Sequence, residues 1–418
     1  MFKIALLSIG DEICIGQIVN TNAVWLSEEC TKLGAEVISH STIQDEHSII
    51  VSEIDRLMKL SDFVLVTGGL GPTPDDLTKP ALLDYFDDKE VVHNETLEKV
   101  KKLFRDRGIR FSENNKSIAV LPSKCQVLAN NVGTAPGMLF EKDGSRLVSM
   151  PGVPPEMKAI FKDNLVEIIG KLVKAKQEKV VLYKTIRTTG IWESHLAELI
   201  GPFESVSGLS GLAYLPSYKG VRLRLKAEGD TAQEAEENLA VAFEYVMQKV
   251  DKYVYGFGET TLEEALGDML RDRGLSLSVA ESCTGGMLGA AMTDVPGSSS
   301  YFQGGGILYS NESKINFMDV PRQVIIDHGA VSEESVKHLA ENVRKKFDTD
   351  YGISISGVAG PGGGTEEKPV GTIWIGLSRE GLTVGKHFLF GKDRAVNRER
   401  AVGMALAMLF KDMKGEEI

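Results

Sequence analysis

The sequence predicts an α/β fold spread over more than one domain, and three observations carry that prediction. Residues 1–170 alternate short apolar runs with helix-period stretches, a βαβαβ rhythm that calls for a parallel sheet. Residues 171–255 read strand, helix, strand, strand, helix, strand, the α+β order of a ferredoxin-like domain. Within residues 256–418 an apolar strand runs into a paired-glycine turn and then an apolar helix. At 418 residues and 42% hydrophobic content, the chain is long enough for two to three domains and apolar enough for sizeable cores.

In the first segment the strands are Phe2–Ile9, Val37–Ile43 and Phe63–Thr67, with helical periodicity over Thr21–Leu33 and Ser48–Leu60 between them. Open α/β sheets bind ligands beyond the carboxyl ends of their strands. At such an end lies Thr67-Gly68-Gly69-Leu70-Gly71-Pro72-Thr73-Pro74-Asp75-Asp76, with glycines for close approach and two carboxylates for a metal. The loop lacks the Lys-Ser/Thr ending of a P-loop, and no GxGxxG follows the first strand. Neither a P-loop nucleotidase nor a Rossmann dehydrogenase is supported. Asp11 and Glu12 could simply make the turn after the first strand, and Asp76 could cap the helix expected over Leu77–Tyr85.

The middle segment places strands at Val180–Thr188, Leu212–Pro216, Val221–Ala227 and Lys252–Tyr255. Its helices are Trp192–Ile200 and Thr231–Val250, the second opened by a Thr231/Glu234 capping box. Twelve Lys/Arg against eleven Asp/Glu leave it almost neutral, which suits a spacer and dimerisation element better than a nucleic-acid binder. His195 reads as a helix-face residue without chemistry.

The third segment carries the sharpest signal. Leu275–Val279 leads into Glu281-Ser282-Cys283-Thr284-Gly285-Gly286, which puts a nucleophile at a strand-to-helix turn. Backbone N–H groups of Thr284, Gly285 and Gly286 could then face an oxyanion or a phosphate. A serine needs a base, and Tyr309 and Lys314 of the block Gly306–Lys314 can supply one. Cys283 is a rival nucleophile, since a thiol at a helix start has a lowered pKa. The plainer readings are that Ser282 and Thr284 cap the helix and that Lys314 is a solvated surface lysine. The glycine-rich loop Gly357–Thr365, after a strand at Tyr351–Ser356, is a wall for the pocket. Arg394, Arg398 and Arg400 open the last helix and are either phosphate ligands or exposed charges.

These blocks, with His328–Val336 and Gly391–Ala401, closely resemble the C-terminal domain of the CinA family, also found alone as PncC-type nicotinamide mononucleotide amidohydrolases. The resemblance implies that Ser282 attacks the carboxamide of nicotinamide mononucleotide with help from Tyr309 and Lys314 and without a cofactor. It further implies substrate contacts at Thr284, Gly285, Gly286, Gly357, Gly360 and Arg398. At the other end, Gly10-Asp11-Glu12 and the Thr67–Asp76 loop resemble the molybdopterin-binding fold of the MoaB/MogA group. Together with Asn131–Met138 and Met150–Met157, they look still more like the N-terminal domain of CinA. That likeness implies a divalent-metal-dependent ADP-ribose pyrophosphatase yielding AMP and ribose 5-phosphate. Its substrate contacts would be Gly10, Thr67, Gly68, Gly69, Gly71, Thr134, Pro151 and Gly152, and its metal ligands Asp75, Asp76, Glu12 and Glu156. The middle segment is similar to the KH-like domain that joins the two catalytic parts in full-length relatives, which are expected to be homodimers.

Bulk properties agree with a cytoplasmic enzyme acting on small nucleotides. A net charge of −12 argues against a generic polyanion binder. No stretch is expected to cross a membrane, the N-terminus reads as a strand rather than a signal peptide, and four scattered cysteines suggest neither zinc nor disulfides. Two other readings stay open: a molybdopterin-binding or nucleotidyl-transferase role for the N-terminal domain, and a non-catalytic interaction protein linked to competence.

Overall fold

The computed structural model describes every residue except 72–75, 109 and 177–178, and the side chains of Glu113 and Asn114. Its contacts divide into two compact units, Met1–Val180 and Val181–Ile418.

The first unit is built on a six-stranded sheet in the spatial order Glu36–Ile43, Lys3–Ile9, Phe63–Thr67, Ser145–Met150, Gly137–Lys142, Gln126–Leu128. The first four strands are parallel and the last two pairings antiparallel, with Gly137–Lys142 the reversed strand, so the sheet is mixed rather than purely parallel as expected. The cause is the two-residue turn Asp143-Gly144, with φ of 51° and 82°, which folds Gly137–Lys142 back on Ser145–Met150. Asp-Gly is the pair that such a mirror-image hairpin turn prefers. Apolar side chains alternate between two cores, Ile4, Leu6, Phe63 and Leu65 facing one and Ala5, Leu7, Val64 and Val66 the other. The chain leaves Lys3–Ile9 for a neighbour on one side and returns to pair on the other, so a crevice opens beyond Ile9 and Thr67.

The second unit contains two sheets. A four-stranded antiparallel sheet runs Gly211–Ser217, Gly220–Gly229, Val180–Thr188, Val254–Phe257, backed by the helices Glu193–Ile200 and Ala232–Val250. That spatial order, second, third, first, fourth, is the ferredoxin-like arrangement the sequence predicts. Thr231 caps its helix through the N–H of Glu234, but Glu234 reaches the N–H of Asp230, so the reciprocal box is incomplete. Both bonds of a capping box form instead at Thr261 and Glu264, at the start of the helix Leu262–Asp272.

The five-stranded sheet runs Phe302–Ile307, Leu277–Glu281, Tyr351–Gly357, Thr372–Arg379, Leu382–Leu389, with the first three parallel. The helices Leu262–Asp272 and Arg394–Met413 share one apolar core with it. On the sheet's other face lies the helix Glu333–Lys346, seated on strand glycines. A Cβ at Gly376 would sit 2.4 Å from the Val336 carbonyl oxygen, which already accepts the Ser354 hydroxyl at 2.6 Å. Gly376→Ala is therefore expected to lift this helix and cost about 1–3 kcal/mol. A lower urea midpoint for the second unit's transition measures it.

Candidate functional site

In the second unit, Leu277–Glu281 continues the sheet ladder through Ser282, whose N–H donates to the Ile355 carbonyl at 2.9 Å. Gly285 and Gly286 then turn the chain with φ of 62° and 98°, a region that disfavours any side chain. Opposite stands Lys314, on the helix Asn311–Met318, which Ser310 caps through the N–H of Ser313. Lys314 Nζ donates to Ser282 Oγ at 3.0 Å and to the Leu308 carbonyl at 2.7 Å. It is only 1% exposed, and burial pulls its pKa down from 10.5 to about 8. Lys314 is thus no surface lysine; its buried amine is aimed at a serine hydroxyl.

The other expectations at this turn fare differently. Cys283 is buried in the core, and that burial pushes its thiol up to about 11, opposite to the lowered pKa expected at a helix start. Ser282 and Thr284 do not cap the helix Met287–Thr293. The buried carboxylate of Glu281 does so, accepting the N–H groups of Gly286, Leu288 and Gly289 at 3.0, 3.1 and 2.8 Å. The Gly285 N–H is also taken, by the Ser282 carbonyl. Of the N–H groups expected to hold an anion, Thr284's remains, joined by that of Cys283. Neither finds a protein acceptor among the described residues.

The Tyr309 side chain is 64% exposed and its hydroxyl meets Arg394 at 3.3 Å; no contact with Ser282 or with the Lys314 amine is seen among the described residues. Only its carbonyl lies near the lysine, at 3.5 Å. Arg394 also holds the Gly360 carbonyl, and Arg398 holds that of Thr284 at 2.8 Å. Gly357 is close-packed on its neighbour strand, since a Cβ there would lie 2.3 Å from Ile373. Gly360 is similarly tight against Val370 and the Lys392 carbonyl. Arg400 turns away from this site and stacks on Tyr218 and Phe390.

In the first unit, a cavity of about 510 Å³ occupies the crevice at the strand ends. Gly10, Thr67, Gly68, Gly69, Gly71, Thr134, Pro151 and Gly152 all line it, as do Glu12, Asp76 and Glu156. Asp75 lies outside the described residues. Asp76 does not cap the following helix, Thr78–Tyr85, whose N-cap is Leu77 with no side-chain bond. Two glycines are required by geometry: a Cβ on Gly68 would lie 2.1 Å from the Ile9 carbonyl, and one on Gly69 2.1 Å from Thr78 Oγ1. Glu156 is held by Asn130 at 2.6 Å. No group of three or more His, Cys, Asp or Glu stands ready to chelate a metal among the described residues. Yet the described lining holds four carboxylates, Glu12, Asp45, Asp76 and Glu156, and no basic side chain. The Asp45 carboxyl is raised by burial and by the charges of Asp11, Glu12 and Asp76. Oxygen donors crowded in this way suit a hard cation.

Comparison with known proteins follows the same division. Residues 5–171 match the probable molybdopterin binding domain, residues 183–256 the damage-inducible protein CinA KH domain, and residues 259–413 the CinA C-terminal domain. A CinA-like protein of Cytophaga hutchinsonii is 43% identical over 382 residues, 91% of this chain and 90% of that one. The chain belongs to the CinA family. A putative competence-damage inducible protein of Clostridium botulinum is 38% identical across 99% of this chain and the whole of its own length. Among solved structures, the competence/damage inducible protein CihA from Agrobacterium tumefaciens is 31% identical, covering 35% of this chain and 91% of its own at a TM-score of 0.35.

In this CinA-family chain two site residues escaped the sequence reading. Asp45 follows the strand Glu36–Ile43, and its place just past a strand's carboxyl end was the available signal. Glu281 ends the strand Leu277–Glu281, two residues from the turn that it ties down. Glu281→Ala would leave three N–H groups unpaired, and their acceptor is charged. It is expected to destabilise the second unit by at least about 2 kcal/mol, read in chemical denaturation.

Proposed function

We propose that the second unit is a serine amidase that converts nicotinamide mononucleotide to nicotinic acid mononucleotide and ammonia. The observation that carries this reading is the 3.0 Å contact between Ser282 Oγ and the buried, pKa-depressed Lys314. The substrate is taken from the sequence's resemblance to PncC-type amidohydrolases. A neutral Lys314 takes the Ser282 proton as Oγ adds to the carboxamide carbon, and the N–H groups of Cys283 and Thr284 receive the oxyanion. Lys314 then returns the proton to the leaving nitrogen, ammonia departs, and an acyl ester remains on Ser282. Water, deprotonated by Lys314, cleaves that ester and restores the serine. Arg394 and Arg398, both beside the turn, supply positive charge for the substrate phosphate. Tyr309 serves here by orienting Arg394 rather than by relaying a proton.

Two measurements on the full chain test this. Ammonia release with EDTA present should fall at least about 1,000-fold in Ser282→Ala. In the wild type the rate should climb with pH to a plateau with a midpoint near 8, because only neutral Lys314 accepts a proton. Below that midpoint it should drop about tenfold per pH unit. Metal-free release that persists in Ser282→Ala, or a flat profile between pH 6 and 9, would remove the serine–lysine pair from the chemistry.

For the first unit we propose cleavage of ADP-ribose to AMP and ribose 5-phosphate. What supports it is a strand-end cavity with glycine walls and an acidic rim that a diphosphate could approach only with cations. Glu12, Asp45 and Asp76 would hold a divalent ion, which when bound would neutralise the diphosphate and polarise its phosphorus. Asp45→Asn is expected to cut AMP formation by at least about tenfold and leave ammonia release unchanged. An adenylylated pterin product in place of AMP would favour the nucleotidyl-transferase alternative.

A further inference from the structure

A second cavity of the C-terminal unit lies apart from Ser282, between the ferredoxin-like layer and the five-stranded sheet, and measures about 680 Å³. That is within the size range of small-molecule pockets, roughly 300–1,000 Å³. It exists because two backbones meet closely at one edge. A Cβ on Gly403 would lie 2.2 Å from the Tyr218 carbonyl oxygen, so glycine lets the helix Arg394–Met413 seat on the turn between the strands Gly211–Ser217 and Gly220–Gly229.

Its walls are aromatic. Trp192, at the start of the helix Glu193–Ile200, is 69% exposed and lines this space. Tyr218 and Phe390 line the same space, and the Arg400 guanidinium stands over both rings, 5.4 and 5.9 Å from their centroids. Arg400 has no hydrogen bond or ion pair among the described residues, whereas Arg394 and Arg398 on the same helix are each bonded to protein oxygens. Two residues beyond Arg398, it projects from a different face of the helix. Flat rings take a flat ligand, and a guanidinium with unspent donors takes an anion, above all a phosphate.

We propose that this cavity binds a mononucleotide, with its base against Trp192 and its phosphate on Arg400. The volume accommodates base, sugar and phosphate together, and the site uses none of the residues that surround Ser282 or line the N-terminal cavity.

The test is calorimetric titration of the full chain with AMP, with adenosine and inorganic phosphate as part-ligands. Arg400→Gln and Trp192→Leu change exposed side chains and should leave the fold intact by circular dichroism. Each is expected to weaken one class of AMP binding at least tenfold, while Ser282→Ala and Asp45→Asn leave that class in place. Adenosine and phosphate should each bind far more weakly than AMP. AMP binding untouched by Arg400→Gln and Trp192→Leu would place the nucleotide elsewhere and overturn the proposal. So would an absence of AMP heat together with a dimer that Trp192→Leu dissolves, which would give the cavity to a second copy of the chain.

Discussion

An amine without a countercharge, shut away from water, is the constraint around which the C-terminal unit is organised. Among the described residues Lys314 has no carboxylate beside it; its partners are a serine hydroxyl and main-chain carbonyls. Those dipoles solvate an ammonium only partly, which is why burial dominates its pKa. The geometry follows from that requirement. Ser310 starts the helix that delivers the amine, the Leu308 carbonyl at the end of the neighbouring strand receives it, and the sheet ladder fixes Ser282 opposite.

Glu281 solves a related electrostatic problem a few ångströms away. The start of a short helix presents N–H donors that would attract any passing anion. Filling them with a carboxylate of the chain itself leaves the donors next to the nucleophile as the ones still open. The N-terminal crevice shows the opposite policy, with an acidic rim left without a basic side chain among its described residues. The chain therefore holds one site with main-chain donors left open and another lined by carboxylates.

Periodicity and turn chemistry made most of the architecture legible. The alternating runs of Phe2–Ile9 and Phe63–Thr67 became strands buried on both faces, and the middle segment took its ferredoxin-like order. The antiparallel edge of the first sheet was missed although Asp143-Gly144 announces a hairpin, because the parallel rhythm dominated the reading. At the sites, glycine-rich loops and carboxylates were visible locally. The Ser282–Lys314 pairing, 32 positions apart, was named from the motifs; what no local pattern could give was Asp45 joining Asp11 across 34. The Tyr309 hydroxyl meets Arg394 across 85 positions, another contact that no local pattern gives.

The thiol next to the nucleophile has a consequence for chemistry outside the catalytic cycle. Peroxides attack cysteine as the thiolate, and Cys283 is both enclosed and held protonated by its pKa of about 11. Serine does not climb the sulfenic–sulfinic ladder at all. On the proposed mechanism, a hydrolase built on this turn would keep its serine nucleophile under oxidative stress that would silence a cysteine-based counterpart, with sulfur one residue from the point of attack.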